Sequence, residues 1–348
     1  MTVDGQAAGS VDDISVVICA YDERRWDALL AAVESLRRQT RRVDEIILVI
    51  DHNPGLLARV RAEIEGVVAI ENANEQGLSG GRNAGIEVAS SPLVAFLDDD
   101  AEAEPDWVER LVRLSGREGC LGAGGRAIPR WLTRRPRWLP DEFLWVVGCT
   151  YRGVPEEVAP VRNLFGSCFS VRRDIIMHVG GFRTELGRTG ANGMGCEETD
   201  LCIRANQAWP GRFFLYDPDA VIHHEVPGER CTWRYFRLRC FAEGVSKATL
   251  ATLVGSESAL STERVYVART LTRAVSRRLV SAARGEPSQL LQAGAVIAGF
   301  AFTVAGYGRE CGRRRLGARM RRRVSREHGS RSRGSAETEA SRPTAPGP

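Results

Sequence analysis

The first hundred residues alternate between short, unbroken apolar runs and longer segments in which apolar side chains have helical spacing. The runs at residues 14–18, 45–50 and 93–97 have the length and composition of buried strands. Between the first two runs, apolar side chains recur every three or four positions: Trp26, Leu29, Leu30, Val33 and Leu36. Strands that alternate with helices in this way predict a parallel sheet covered by helices on both faces.

The pattern continues less regularly beyond these runs. A helix is predicted at residues 56–64 and a short strand at 67–71, after which a glycine-rich loop leads into another helix. A further strand is predicted at residues 120–129, and residues 246–285 have a helical pattern. Residues 130–160 are rich in Trp, Pro and Arg and have no clear period, which favours a substrate-facing loop and a packed irregular segment about equally.

One segment near the C-terminus has no charged side chain. It covers residues 290–307, and eighteen residues is the lower limit for a helix that spans a membrane. Its many Ala and Gly residues and Gln292 make it only moderately hydrophobic, whereas the arginines of residues 313–323 are typical of a cytoplasmic flank. A buried core helix and contact with a membrane are both open interpretations.

The overall composition is that of a soluble globular protein, with 43% hydrophobic and 26% charged residues. The net charge of +4 is unevenly distributed, because ten arginines and a single acid, Glu327, lie within residues 312–333. The rest of the chain is therefore mildly acidic. A solvated, disordered tail is one interpretation of the basic end, and attachment to an anionic membrane or to nucleic acid is the other.

The nine cysteines are scattered and form no C-x-x-C pair, so a zinc ribbon or a thioredoxin-type motif is not supported. The first 13 residues lack the apolar core of a signal peptide. Together these features predict a cytoplasmic protein in a reducing compartment.

Acidic side chains follow each of the three long apolar runs. Asp22 and Glu23 follow the first, Asp51 the second and Asp98 the third. In open α/β sheets, ligands bind outside the carboxyl ends of the strands. The convergence of these acids therefore predicts a ligand site at that edge of the sheet.

The glycine-rich segment GLSGGRNAG lacks the usual signatures of a phosphate-binding loop. No Gly-Lys-Ser/Thr ends it, and it does not follow the first strand as a dinucleotide-binding loop does. A metal ion is the alternative means of holding a diphosphate, and Mg²⁺ and Mn²⁺ prefer carboxylate and phosphate oxygens.

The sequence LDDD at residues 97–100 offers such ligands. In an extended chain Asp98 and Asp100 point to the same side, about 6.5 Å apart, and a metal between them relieves their repulsion. Asp99 then points away as a spacer, and its substitution is predicted to matter least. Acids that favour a nearby helix N-terminus are an equally good explanation of the charge pattern alone.

A second acidic group, Glu197, Glu198 and Asp200, lies after a glycine-rich loop at the start of a predicted helix. Asp200 fits the first helical turn, and the two glutamates are candidates for a general base. His223 and His224 follow a predicted strand and can contact a metal or a phosphate.

Six segments in this order resemble the family 2 glycosyltransferases, which have the GT-A fold. They are VVICAYDE, ILVID, NEQGLSGGRNAGI, VAFLDDDAEAEPDW, GGF and GCEETDLCIR, and the resemblance covers residues 14–245. It implies an α/β fold with a mixed, mostly parallel sheet flanked by helices. It also implies inverting, metal-dependent transfer of a sugar from a nucleoside diphosphate sugar, with UDP-hexose as the common donor, to an acceptor hydroxyl.

The resemblance assigns roles to individual residues. The nucleotide is expected to contact Ala20, Tyr21, Glu23, Asp51, Arg82 and Asp98. Mg²⁺ or Mn²⁺ is expected on Asp98, Asp100 and either His224 or His223. The catalytic base falls on Glu198, with Glu197 and Asp200 as alternatives.

Two positions depart from the family pattern, since Glu198 stands where Asp is usual and Asp22 where Asn is usual. From position and composition, a pocket for the donor sugar and the acceptor is predicted around four residues: Trp138, Trp145, Arg162 and Asn163.

Four parts of the chain are expected: a disordered N-terminus at 1–13, a GT-A catalytic domain at 14–245, a helical extension at 246–311 and a basic, disordered tail at 312–348. The acceptor is a glycan, a lipid-linked saccharide or a small molecule, as in cell-surface polysaccharide or glycolipid synthesis, and no nucleic acid partner is expected. Membrane contact through residues 290–323 would place the protein at the inner face of the plasma membrane.

Two other functions stay open. A metal-dependent nucleotidyltransferase also holds its metal with carboxylates on an α/β sheet, although the acidic segment after the first strand is unlike its basic loop. A catalytically inert GT-A scaffold is the second, although it has no need of Asp98, Asp100 and Glu198.

Overall fold

The computed structural model describes residues 12–190, 193–339 and 347, with side chains described as far as residue 316. Nine strands in the described residues form one mixed sheet in the order β3-β2-β1-β4-β8-β6-β9-β5, with β7 paired to β9. The strands are β1 Ile14–Ala20, β2 Glu45–Ile50, β3 Val68–Glu71, β4 Leu93–Asp98, β5 Ala101–Ala103, β6 Cys120–Trp131, β7 Ala159–Val161, β8 Cys168–Arg172 and β9 Phe213–Val226. The predicted mixed α/β sheet is confirmed.

The N-terminal half of the sheet is parallel. β1 pairs with β2 and with β4, and in this register Ala20 lies opposite Ile50 while Cys19 lies opposite Asp98. The carboxyl ends of the three strands therefore meet at one edge. Strand β8 is antiparallel to both β4 and β6, which continues the sheet with the opposite direction.

Both faces of the sheet are covered, as the alternation of strands and helices predicted. Ile18 and Leu48 belong to one apolar cluster, and Val17, Ile47 and Val49 belong to another on the opposite face. Successive side chains of a strand point to opposite faces, so these continuous apolar runs supply two cores.

Ten helices lie in the described residues. They are α1 Trp26–Arg37, α2 Pro54–Glu63, α3 Leu78–Val88, α4 Trp107–Ser115, α5 Arg173–His178, α6 Glu197–Ala208, α7 Trp233–Val254, α8 Ser256–Val265, α9 Thr272–Ala283 and α10 Ser288–Glu339. Short 3-10 turns occupy Glu23–Arg25, Asp141–Val147 and Gly228–Cys231, and a π-helical turn at Tyr266–Leu271 joins α8 to α9.

Most of the glycine-rich segment predicted as a loop forms α3 instead. Gly77 has φ of 123° and ends the loop, and the helix begins at the next residue. A Cβ added at Gly85 would lie 2.5 Å from Cγ1 of Val17 on β1. The glycines therefore allow α3 to pack closely against the sheet, a role that sequence spacing alone does not distinguish from loop flexibility.

The C-terminal helices pack on the body of the protein. Helix α10 lies along α7, and their backbones meet at Gly244 and Gly306, where an added Cβ would overlap the carbonyl oxygens of Thr303 and Phe241 respectively. The predicted boundary at residues 245–246 falls inside α7. Between residues 312 and 339 the backbone is helical where the sequence predicted disorder.

The predicted disorder of residues 1–13 falls mainly on residues 1–11, which lie outside the described residues, as do residues 340–346 and 348 of the tail. The part of α10 at Ser288–Leu316 has the length and composition to cross a membrane, with a mean hydropathy of 1.6. Only 28% of its most apolar window is buried. One such helix is weak evidence for a span, because core helices pass the same test.

The close contact of α7 and α10 gives a stability prediction. Gly306→Ala is expected to lower the free energy of unfolding by about 1–3 kcal/mol, because the new methyl group forces the helices apart. Gly308→Ala is the matched control, since nothing lies within 4 Å of an added Cβ there. Alanine in an open helical position is expected to be neutral or to stabilise by up to about 1 kcal/mol. Urea unfolding of the two variants measures the difference, and equal stabilities would contradict this packing.

Candidate functional site

Three potential metal ligands meet at the edge where β1, β2 and β4 end. Asp98 is the last residue of β4, Asp100 lies in the turn to β5, and His224 lies on β9 opposite Ala101. One ligand atom from each of the three lies within 4.8 Å of the others. His223 points elsewhere, and its Nε2 is 2.6 Å from Oε1 of Glu104. Carboxylate and imidazole groups in this arrangement suit Mn²⁺ or Mg²⁺ bound with phosphate oxygens.

Asp100 is surrounded by positive charge. Its carboxylate oxygens lie 3.3 Å from Nε2 of His224, 3.3 Å from Nη2 of Arg230 and 3.2 Å from Nη1 of Arg25. Burial alone would raise the pKa of Asp100, but these cations outweigh it and lower the pKa to about 2. Burial likewise opposes protonation of His224, and Asp100 outweighs it and raises the His224 pKa to about 10. Because a metal binds the neutral imidazole, a metal ion held by this pair would displace a proton from His224.

The geometry around Asp99 differs from the predicted extended chain. Strand β4 ends at Asp98 and β5 begins at Ala101, so residues 99 and 100 form a turn. Asp99 is 5% exposed, and its Oδ1 accepts a hydrogen bond of 2.7 Å from Nη1 of Arg25. Burial and the neighbouring Asp100 raise the Asp99 pKa to about 7. Asp99 is thus buried and holds Arg25 against Asp100, and is more than a spacer.

The residues expected to hold a nucleotide lie along the same edge. Ala20 ends β1, Tyr21 follows it with half of its surface exposed, and Glu23 begins the 3-10 turn. Asp51 follows β2 and accepts hydrogen bonds from the backbone N–H of Gly77 at 3.0 Å and from Nδ2 of Asn72 at 2.6 Å. Asp51 therefore fixes the loop before α3.

Arg82 connects the two acidic groups. It is buried on α3, with Nη1 3.0 Å from Oε1 of Glu197 and Nη2 3.7 Å from Oδ1 of Asp98. Its guanidinium also donates to the carbonyl oxygen of Gly166. The ion pairs of Arg82 with Glu197 and Asp98 hold the start of α6 next to the end of β4.

The three candidate bases at the start of α6 have different surroundings. Glu197 is paired with Arg82, and Asp200 is fully buried between Arg183 at 3.1 Å and Arg204 at 2.7 Å. Glu198 has no ion pair with a described residue and accepts a hydrogen bond of 3.0 Å from Oγ1 of Thr199. Burial and the neighbouring Glu197 raise the pKa of Glu198 to about 7. A carboxylate with this pKa suits proton abstraction near neutral pH.

A cavity of about 1050 Å³ opens in front of α6. It is lined by Asp98 and Glu198, and by three of the predicted pocket residues: Trp145, Arg162 and Asn163. Trp138 is not among its lining residues. That ring packs instead against Trp233 and Phe236, with centroids 5.2 Å and 5.3 Å away. The composition of residues 130–160 does not distinguish Trp145, which lines the cavity, from Trp138, which packs against other aromatic rings.

Several cations near the site were not selected from the sequence. Arg25 and Arg230 contact Asp100, and Arg188, Arg239 and Lys247 line the cavity. Arg239 and Lys247 both lie on α7, whereas Arg25, Arg188 and Arg230 come from other parts of the chain, so no local spacing connects all five. The only sequence signals are the arginines that follow Asp22-Glu23 and the Pro-Gly-Glu-Arg segment after the two histidines.

Comparisons with known proteins agree with this geometry. Residues 15–180 match the family model "Glycosyl transferase family 2". Over 300 residues the chain is 34% identical to the glucosyl-dolichyl phosphate glucuronosyltransferase of Haloferax volcanii, which covers 85% of this chain and 94% of that protein. Over 243 residues it is 24% identical to the succinoglycan biosynthesis protein ExoM of Rhizobium meliloti, covering 68% and 74% of the two chains.

Among solved structures, the chain resembles a mannosyltransferase from Pyrobaculum calidifontis in complex with GDP-Man and Mn²⁺. The TM-score is 0.53 with 14% sequence identity, and the match covers 84% of this chain and 86% of that one. At this identity the likeness is one of fold, and it agrees with a GT-A architecture.

Proposed function

Because this chain belongs to glycosyl transferase family 2, we propose that it transfers a sugar, with inversion, from a nucleoside diphosphate sugar to an acceptor hydroxyl. The observation that carries the proposal is that one cavity is lined both by Asp98 of the metal-ligand cluster and by Glu198. When the donor diphosphate is held at the metal-ligand cluster and the acceptor hydroxyl is held at Glu198, the anomeric carbon of the donor lies between them. Attack then comes from the side opposite the leaving group.

In this mechanism Asp98, Asp100 and His224 would hold Mn²⁺ or Mg²⁺. The ion, when bound, neutralises the negative charge that develops on the leaving diphosphate. Glu198 removes the proton from the acceptor hydroxyl as its oxygen attacks the anomeric carbon. Glu197 also lines the cavity, but its Oε1 is paired with Arg82 at 3.0 Å, which favours Glu198 as the base.

For the acceptor we propose a saccharide linked to a lipid phosphate. The name of the Haloferax volcanii relative describes an acceptor of this kind. Part of the cavity wall here comes from the apolar helix α10, through Phe300, Thr303 and Val304. Apolar side chains of α10 are also exposed at Leu290, Leu291 and Ile297. A membrane-bound acceptor explains an apolar, partly exposed helix beside the site, and the proposed location is the cytoplasmic surface of the membrane.

The full-length protein should be incubated with a panel of UDP-, GDP- and dTDP-sugars, with Mn²⁺, with Mg²⁺ or with EDTA. We expect release of the nucleoside diphosphate from a UDP-hexose or a UDP-hexuronate only when metal is present, and faster release when a lipid-phosphate-linked saccharide is added. NMR of the product reports the anomeric configuration. Release of pyrophosphate would indicate a nucleotidyltransferase, and absence of metal-linked nucleotide binding would indicate an inert scaffold.

A further inference from the structure

A row of charged side chains lines the cavity along α7, apart from the metal-ligand cluster. Arg239 and Lys247 lie two helical turns apart with Glu243 between them. Nη1 of Arg239 is 3.1 Å and Nζ of Lys247 is 3.6 Å from the Glu243 carboxylate. Lys247 also lies 2.7 Å from Glu263, whose carboxylate is 2.8 Å from Arg162. We call these five residues the α7 row: the cations Arg239, Lys247 and Arg162 and the carboxylates of Glu243 and Glu263. The row therefore has one positive charge in excess.

Arg239 has an unsatisfied donor in this row. Its side chain is 10% exposed, and its buried Nε–H has no hydrogen-bond partner among the described residues. The guanidinium lies 5.7 Å from the centroid of the Trp145 ring on one side, and its Nη2 lies beside Gly195. A buried donor without a partner costs free energy, which an anionic acceptor atom in the cavity would recover.

Arg188 adds a further positive charge to the same wall. It lines the cavity, and no ion pair with a described carboxylate accounts for its guanidinium. Burial and the neighbouring Arg239 and Arg230 lower the Arg188 pKa. Arg188 therefore adds a cation to the cavity wall, in surroundings that favour a bound anion.

The cavity also has an apolar rim. Val265, Phe300 and Val304 line it and remain 52%, 40% and 51% exposed. They come from the end of α8 and from α10, on the side where α10 presents its other exposed apolar residues. An anion on the α7 row can therefore carry an apolar chain that leaves across this rim.

We propose that Arg239 and Lys247, assisted by Arg188, bind the phosphate of the lipid-linked acceptor. This inference rests on the proposed function and adds a second anion subsite to it. The diphosphate of the donor is assigned to the cluster of Asp98, Asp100 and His224, so the α7 row is available for a different anion. With the phosphate held there, the first sugar of the acceptor lies inside the cavity, where Glu198 is.

The test measures binding without catalysis. Isothermal titration of the full-length protein with farnesyl phosphate, in EDTA and without donor, is expected to show at least tenfold tighter binding than with farnesol. Arg239→Gln is expected to weaken farnesyl phosphate at least tenfold and to leave farnesol unchanged. Glu243 keeps its pair with Lys247 in this variant. Arg130→Gln is the matched control, because Arg130 pairs with Glu102 and Glu225 and is not among the cavity residues.

If Arg239→Gln does not fold, Arg188→Gln provides the same comparison without breaking an ion pair between described side chains, and the same weakening is expected. Equal affinity of the wild type for farnesyl phosphate and farnesol would overturn the subsite. So would an Arg239→Gln variant that binds farnesyl phosphate normally but has a raised KM for a UDP-hexuronate, since the row would then hold the donor carboxylate. Metal-dependent turnover of the donor can persist in either case, so failure of the subsite is distinguishable from failure of the proposed function.

Discussion

Replacing Glu198 by glutamine is expected to lower kcat for sugar transfer by about 10²–10⁴-fold, the usual contribution of a positioned general base. The amide has nearly the same shape and can still accept the hydrogen bond from Oγ1 of Thr199, but it cannot take up the acceptor proton. Metal-linked binding of UDP should be unchanged, because Glu198 is not a member of the metal-ligand cluster. Initial rates with saturating donor and acceptor, together with UDP titration, measure the two quantities.

Asp200→Asn is the contrasting variant on the same helix. Asp200 is fully buried between Arg183 and Arg204, so removal of its negative charge should lower the melting temperature. The kcat of this variant should fall much less than that of Glu198→Gln. Glu198 has no such pair, and its replacement should not lower the melting temperature. Near-wild-type kcat in Glu198→Gln would falsify the assignment of the base.

The pH dependence gives an independent check on Glu198. In the free protein its pKa is raised from 4.5 to about 7, so kcat/KM is expected to fall as the pH drops below about 7 and the carboxylate becomes protonated. The folded protein binds this proton more tightly than the unfolded chain. The contribution of Glu198 to stability is therefore greatest below pH 4.5 and is lost as the pH rises through about 7. Glu198→Gln should lack both the acidic limb of kcat/KM and this loss of stability.

The parts of the fold that were predicted from the sequence depend on local pattern. The run at residues 45–50 coincides with β2, and the run at 93–97 is extended by only one residue in β4. Strand β8 lies between β4 and β6 in the sheet although both precede it in the chain. That order depends on antiparallel contacts between distant residues, which periodicity does not contain.

In the candidate site, too, local spacing located some residues, whereas contacts between distant parts of the chain determined the others. Asp98 ends β4 and Asp100 lies two residues further on in the turn, so their position after the apolar run was enough to place both at one edge, although the predicted extended chain is not observed. The preference for His224 over His223 came only from the register of β9 against β5, in which His224 lies opposite Ala101. Arg82 was expected near the nucleotide, and its pair with Glu197 joins residues 115 positions apart. Such pairs follow from packing, which one sequence without its fold does not specify.

Asp100→Asn is expected to weaken Mn²⁺ binding in the presence of UDP by about 100-fold or more, since even changes in groups that only orient metal ligands cost about 10–100-fold. Asp100 is ionised at neutral pH because His224, Arg230 and Arg25 lower its pKa to about 2. The amide removes that negative charge and leaves the guanidinium groups of Arg230 and Arg25 facing the site without it. Titration of Mn²⁺ with UDP, followed by electron paramagnetic resonance of the free ion, measures the affinity.

Asp99→Asn is the matched control one position away. Asp99 is not a member of the metal-ligand cluster, and its Oδ1 accepts a hydrogen bond from Arg25 that the Oδ1 of asparagine can still accept. Arg25 retains Asp100 at 3.2 Å when the Asp99 charge is removed. Asp99→Asn should therefore change Mn²⁺ affinity by less than about threefold, well below the loss expected for a metal ligand. Equal damage by the two substitutions would mean that the pair facing the metal is not Asp98 and Asp100, and that the turn at residues 99–100 presents Asp99 to the ligand instead.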